Sequence, residues 1–133
     1  MKKQMDHVAT FHDTFNIGNA AKVEAQLSHE DYMLRYKLMR EENEEYLEAA
    51  ENGDLVEIAD ALGDMMYILS GTILKHGLQD VIEEIFEEIQ RSNMSKLGAD
   101  GKPIYREDGK VLKGPNYFKP NIAGILKKHG HLE

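Results

Sequence analysis

The 133-residue chain contains no cysteine, which excludes a disulfide framework and a zinc–thiolate site alike. No window approaches the roughly 18 consecutive apolar residues of a membrane span, so no membrane partner is expected. The opening stretch, MKKQMDHVATFHDTF, lacks an apolar signal-peptide core. Export is therefore not expected, and the cytoplasm is the expected compartment. No low-complexity tract or repeated supersecondary unit is present. Cations are also scarce: the formal net charge is −8, and no Lys or Arg lies between Arg40 and Lys75. Duplex binding needs clustered cations, so nucleic acid is not expected as a partner. A small anionic ligand that brings its own metal ions is compatible with this balance.

What is present is a globular composition, 41% hydrophobic and 30% charged. The length predicts one compact domain over residues 1–133. Within it, 1–97 reads as a helical core and 98–133 as a turn-rich tail. Caps and periodicity predict four helices. The first runs from Asp6 to Ile17, with Val8, Phe11 and Phe15 on one side and Gly18 as a stop. The second opens at Ser28 and ends at Asn52-Gly53. The third opens at Asp54, with Glu57 three residues on, and ends at Lys75-His76-Gly77. The fourth repeats that pattern, with Asp80 and Glu83 at its start and Gly98 after its end. In the tail, Ile104–Glu107 and Lys110–Lys113 flank Asp108-Gly109 as a small hairpin with a two-residue turn. A short helix from Asn121 to His129 follows.

The second and third helices carry an unusual load of carboxylates. The apolar stripe that begins at Leu34 and Leu38 continues by helical steps to Glu41 or Glu42, then Glu45, then Ala49. On the third helix, Leu55, Ile58, Leu62, Met65, Met66, Leu69 and Ile73 cover one broad side. Ala59, Ala61, Gly63, Ile68 and Gly71 fill much of the rest, the pattern of a central helix. Asp60 and Asp64 nevertheless sit on it, one turn apart, with Glu57 just before. Unpaired carboxylates in a dry core cost several kcal/mol each. Two helices joined by a short turn pack antiparallel, which brings Glu41, Glu42 and Glu45 towards Asp60 and Asp64. A cation between them would relieve the repulsion. All the candidate ligands are oxygens, which favours Mg²⁺ or Mn²⁺ over zinc. Acidic runs are more often solvated faces, and Glu44, Glu48 and Glu51 are read that way. For Glu57, a helix cap and a ligand role are both open.

REENEEYLEA followed by EIADALGDMMYILSGTILKHG resembles the all-α nucleoside triphosphate pyrophosphatases, the MazG-like group. That superfamily also holds the dimeric dUTPases and phosphoribosyl-ATP pyrophosphohydrolase. EIQRSNMSK and FHDTF resemble segments of its dUTPase branch. The resemblance implies a MazG-like four-helix bundle completed by oligomerisation, with an irregular C-terminal loop or small hairpin. It implies Mg²⁺ (Mn²⁺ possible in its place) bound by Glu-Glu-x-x-Glu on one helix and Glu-x-x-Asp on the next. Glu41, Glu42 and Glu45 match the first half. Asp64 matches the family Asp, but the expected Glu is Ala61, so Asp60 is assigned its role, with Glu57 in reserve. The metal ligands are then Glu42, Glu45, Asp60 and Asp64, with Glu41 or Glu57 as further ligands.

The implied reaction splits a (deoxy)nucleoside triphosphate into monophosphate and pyrophosphate. A spare carboxylate, Glu41 or Glu42, takes the proton of the attacking water. Arg91, Asn93, Lys96, Lys110 and Lys113 are the expected phosphate contacts, and the base is expected to stack on Phe15, Phe11 or His12. A homodimer or homotetramer is the expected assembly. Two alternatives stand beside this reading: phosphoribosyl-ATP pyrophosphohydrolase itself, and a non-catalytic acidic helical interaction protein.

Overall fold

A computed structural model describes residues 1–133. The chain is all-α: α1 (Lys2–Thr14), α2 (His29–Glu51), α3 (Leu55–Lys75), α4 (Ile82–Met94) and α5 (Ile122–Lys128). No helix is long and apolar enough to cross a membrane. Packing divides the chain into two compact units, Met1–Asp80 and Val81–Glu133. The break expected at Gly98 therefore falls before α4.

In the first unit, α2 and α3 form the most extensive helix pair, and α1 packs on α3. The caps read from the sequence are in place. Ser28 Oγ accepts the Asp31 N–H, and Asp54 Oδ1 accepts the Glu57 N–H, each at 3.1 Å. Each contact satisfies one of the donors that a helix start leaves open. Gly53 ends α2 at φ +63°. The Gly53 N–H reaches Ala50 O and the Asp54 N–H reaches Ala49 O, the paired closure of a Schellman turn. Only three residues, Asn52 to Asp54, separate the helices, which run antiparallel as expected.

The segment between α1 and α2 closes the far end of α3. Ala20 donates to Leu74 O at 3.1 Å and Glu24 to His76 O at 2.9 Å. His76 Nδ1 returns a 2.7 Å contact to Glu24 O. The Glu24 bond satisfies the His76 carbonyl, and the Ala20 bond adds a second donor to Leu74 O, which also accepts the Gly77 N–H. Gly77, at φ +71°, lies so close to this strap that a Cβ would meet Lys22 O at 2.4 Å.

The second unit explains the early break. Ser92 Oγ donates to Phe118 O at 2.8 Å, and the Phe118 N–H donates back to Ser95 Oγ at 3.1 Å. The Asn121 N–H reaches Glu88 Oε1 at 3.0 Å, and Glu84 binds both Lys128 and His129. Helix α4 is thus stitched to the tail. Asp80 and Glu83 do not cap it as expected; Val81 holds the cap position, without a side-chain bond. The hairpin is reduced to one bridge, Tyr105 to Val111. Its turn spans three residues, Glu107 to Gly109, because Arg106 N pairs with Lys110 O and the left-handed position falls on Gly109 (φ +88°).

Three further departures concern burial. Helix α1 starts at Lys2 and ends at Thr14, earlier at both ends than expected. Leu34 is half exposed, and the side chains of α2 that are buried are Arg35 and Ala49. Most informative is α3, expected to be enclosed: Leu55 is 77% and Val56 75% exposed, and Leu62, Met66 and Leu69 are also uncovered.

His12 is 2% exposed. Its Nδ1–H points at Gly18 O (3.2 Å) and Asn19 Oδ1 (3.0 Å). Burial, and then the Arg35 guanidinium, hold its pKa below the ordinary 6.5. A lowered imidazole pKa favours the neutral ring in the folded state. Its stabilisation is fully present above 6.5 and is lost as pH falls through the folded value. The stability gap between wild type and His12→Gln, measured by urea denaturation, should therefore narrow from pH 8 to pH 5. A constant gap would contradict a buried neutral His12.

Candidate active site

The antiparallel geometry of α2 and α3 brings Glu42 to Asp60 and Asp64. Glu42 is half-buried, and its Oε2 is enclosed with no hydrogen-bond partner. Its pKa is raised from 4.5 to about 7. Burial is the largest cause. A hydrogen bond with Glu45 and the charge of Glu45 come next, followed by the charges of Asp64 and Asp60. Two carboxylates can share a hydrogen bond only when one is protonated, so contact with Glu45 favours a protonated pair.

The sequence expectation needs one correction: these side chains are not sealed in a dry core. Glu41, Glu45, Glu57, Asp60 and Asp64 are all exposed in the protomer. The cause is the uncovered face of α3, which leaves the acidic end of the helix pair open to water. The register question narrows, however. Ala61 is 2% exposed and packed, while Asp60 and Asp64 both bear on Glu42. Glu57 is not among the groups that raise the Glu42 pKa. With Glu45, Glu48, Ala49, Asn52 and Asp54 it lines an open recess of about 210 Å³ at the helix turn. Glu48 is exposed, as expected of a solvated face, and borders that recess.

No three His, Asp or Glu side chains stand close enough to enclose one ion. The donor chemistry still fits a hard divalent cation. The oxygens are carboxylates, one of them is buried without a donor, and Glu45, Asp60 and Asp64 are exposed and free to change rotamer.

The remaining candidate residues are distributed as follows. His12 lies in the core of the first unit, so its ring is not open for a base to stack on. Phe15 is 63% exposed, and Phe11 lies against it with ring centroids 4.6 Å apart. Phe11 also packs edge-on against Tyr67. Arg91, Asn93, Lys96, Lys110 and Lys113 belong to the second unit. Arg91 is held by a two-pronged pair with Glu88 and lies over the Phe118 ring at 4.5 Å. The Lys113 ammonium lies over Tyr117 at 4.9 Å. Sequence reasoning missed Arg35, which is buried two turns before Glu42. Its position on the inward stripe of α2 was the available signal.

A profile of the phosphoribosyl-ATP pyrophosphohydrolase family matches residues 8–93. The chain belongs to that family. The family lies within the MazG-like all-α nucleoside triphosphate pyrophosphatases, and the all-helical fold agrees with that placement. This family member is accordingly a pyrophosphohydrolase acting on phosphoanhydride bonds, and the reading as a non-catalytic interaction protein falls away. Enzymes of the family typically use a divalent metal. The match runs from the second half of α1 through α2 and α3 to nearly the end of α4, and it leaves out the hairpin and α5. No curated protein matches the chain.

The raised pKa of Glu42 has a definite consequence for stability. A carboxyl whose folded pKa exceeds its unfolded value stabilises fully below 4.5, and that contribution is lost as pH rises through about 7. Its slope opposes that of His12. In chelator, Glu42→Gln should melt at or above the wild-type temperature at pH 8, and the two should converge near pH 5. A variant less stable than wild type at pH 8 would contradict the like-charge conflict.

Proposed function

We propose that this protein hydrolyses the bond between the α and β phosphates of a triphosphate nucleotide, releasing pyrophosphate, with Mg²⁺ or Mn²⁺ held by Glu42, Glu45, Asp60 and Asp64. The observation that carries the reading is the convergence of like charge on the half-buried Glu42, whose enclosed oxygen has no donor. A bound divalent ion supplies charge neutralisation for the triphosphate and acidifies the attacking water. The residues of the chain do the rest. Glu45, Asp60 and Asp64 fix the ligand-bearing face of α2 and α3. Whichever of Glu41 and Glu42 the ion leaves free accepts the water proton. Phe15 offers an open aromatic face to a base.

Two substrate classes fit this chemistry. The family match favours phosphoribosyl-ATP, whereas the segments resembling the dUTPase branch favour a simple (deoxy)nucleoside triphosphate. Both present the same triphosphate to the carboxylates. Pyrophosphate release across the common NTPs, dNTPs and phosphoribosyl-ATP separates them. Asp60→Asn and Asp64→Asn should each lower turnover of the preferred substrate by orders of magnitude. Glu51→Gln, on the solvated side, should leave it unchanged. Full activity in the Asp60→Asn, Asp64→Asn double variant would end the metal-site reading.

The assembly proposed is a homodimer or homotetramer. Leu55, Val56, Leu62, Met66 and Leu69 leave α3 with an apolar face that a second copy of the chain would cover. Analytical ultracentrifugation at micromolar concentration should find a dimer or larger. Leu62→Glu, within that face, should shift it towards monomer. A wild-type monomer would refute the assembly.

A further inference from the structure

Helix α2 buries a guanidinium where its inward stripe calls for an aliphatic side chain. Arg35 is 7% exposed, and both its hydrogen bonds go to neutral acceptors on α3. Nε donates to Thr72 Oγ1 at 3.1 Å and Nη2 to Ile68 O at 2.9 Å. Thr72 Oγ1 in turn donates to Ile68 O at 2.9 Å. Gly71 makes room for this group. A Cβ there would meet Arg35 Nη2 at 2.5 Å and His12 Nε2 at 2.8 Å. His12, anchored to Gly18 and Asn19, closes the slot from the side of α1.

A buried charge without a counter-charge is a poor source of stability, and the best-attested use of such groups is to fix register. The spacing here suits that use. Glu42 lies two helical turns beyond Arg35 on α2, roughly 10 Å along the same face. Asp64 and Asp60 lie one and two turns before Ile68 on α3. In an antiparallel pair these steps advance together. The bond pair that seats Arg35 on Ile68 and Thr72 thereby brings Glu42 opposite Asp60 and Asp64. Sliding or rotating α2 would break both bonds at once.

We propose that Arg35, seated on Thr72 and Ile68 in the Gly71 slot, is a positioning residue that holds the carboxylates of α2 and α3 in register for a divalent cation. The proposal rests on the carboxylate reading above. The test is the Mn²⁺ dissociation constant, read by electron paramagnetic resonance at a temperature where circular dichroism shows every variant folded. Thr72→Val removes the acceptor of Arg35 Nε and keeps the shape; Thr72→Ser keeps the hydroxyl. Thr72→Val should weaken Mn²⁺ binding, and by more than Ile73→Val does. Thr72→Ser should restore it, and Arg35→Met, if it folds, should match Thr72→Val. Ile73→Val, a core change on the same helix, should lower the melting temperature without moving Mn²⁺ affinity. Wild-type affinity in Thr72→Val, or a loss no larger than that of Ile73→Val, would overturn the positioning role alone. Failure of wild type to bind Mn²⁺ would overturn the carboxylate reading and the positioning role together.

Discussion

Coulomb repulsion among carboxylates on the antiparallel pair α2 and α3 is the constraint on which the rest of the molecule turns. Like charges brought together in partly buried surroundings disfavour ionisation and oppose folding. Here burial first, and then Glu45, Asp64 and Asp60, raise the Glu42 pKa to about 7, and one of its oxygens has no donor. No lysine or arginine on the pair relieves the cluster: the Arg40 guanidinium is engaged by Glu44, and the Lys75 ammonium lies at the far end of α3, near Asp31. A folded chain that keeps such a cluster must anchor its two helices elsewhere. The anchors are at the opposite end of the pair, where Arg35 is seated on α3 and the segment after α1 ties down the end of α3 by backbone bonds.

The division of labour between the ends has a functional logic. One end is crowded, buried and hydrogen-bonded; the other is open and negatively charged. Ligand sites are drawn from weakly packed regions supported by rigid ones. The exposed apolar face of α3 runs alongside the open end, so covering it with another chain would also change how far water reaches Asp60 and Asp64. In the account proposed here, assembly and metal binding bear on the same helix from two sides.

Much of this was legible in the sequence, because helix caps and terminators are local. Ser28, Asp54, Gly53 and Gly77 do what their types suggest. So does the acidic pair of helices, since spacing of three, four and seven maps directly onto a face. Less was legible where the outcome depends on what lies across from a residue. His12 reads as an exposed stacking group until α3 is seen to bury it. Leu34 reads as core until Arg35 takes the inward position. The apolar surround of α3 reads as burial within one chain, although a single copy leaves much of it uncovered. Asp80 reads as a cap, yet α4 begins one residue later, with Val81 in the cap position.

The most direct measurement of the central claim is an anomalous-difference map from crystals of the wild-type protein grown with Mn²⁺. The account predicts a peak within bonding distance of carboxylate oxygens from both α2 and α3, with Glu42 and Asp64 among them. Manganese bound elsewhere, or no peak between these helices at saturating Mn²⁺, would contradict it.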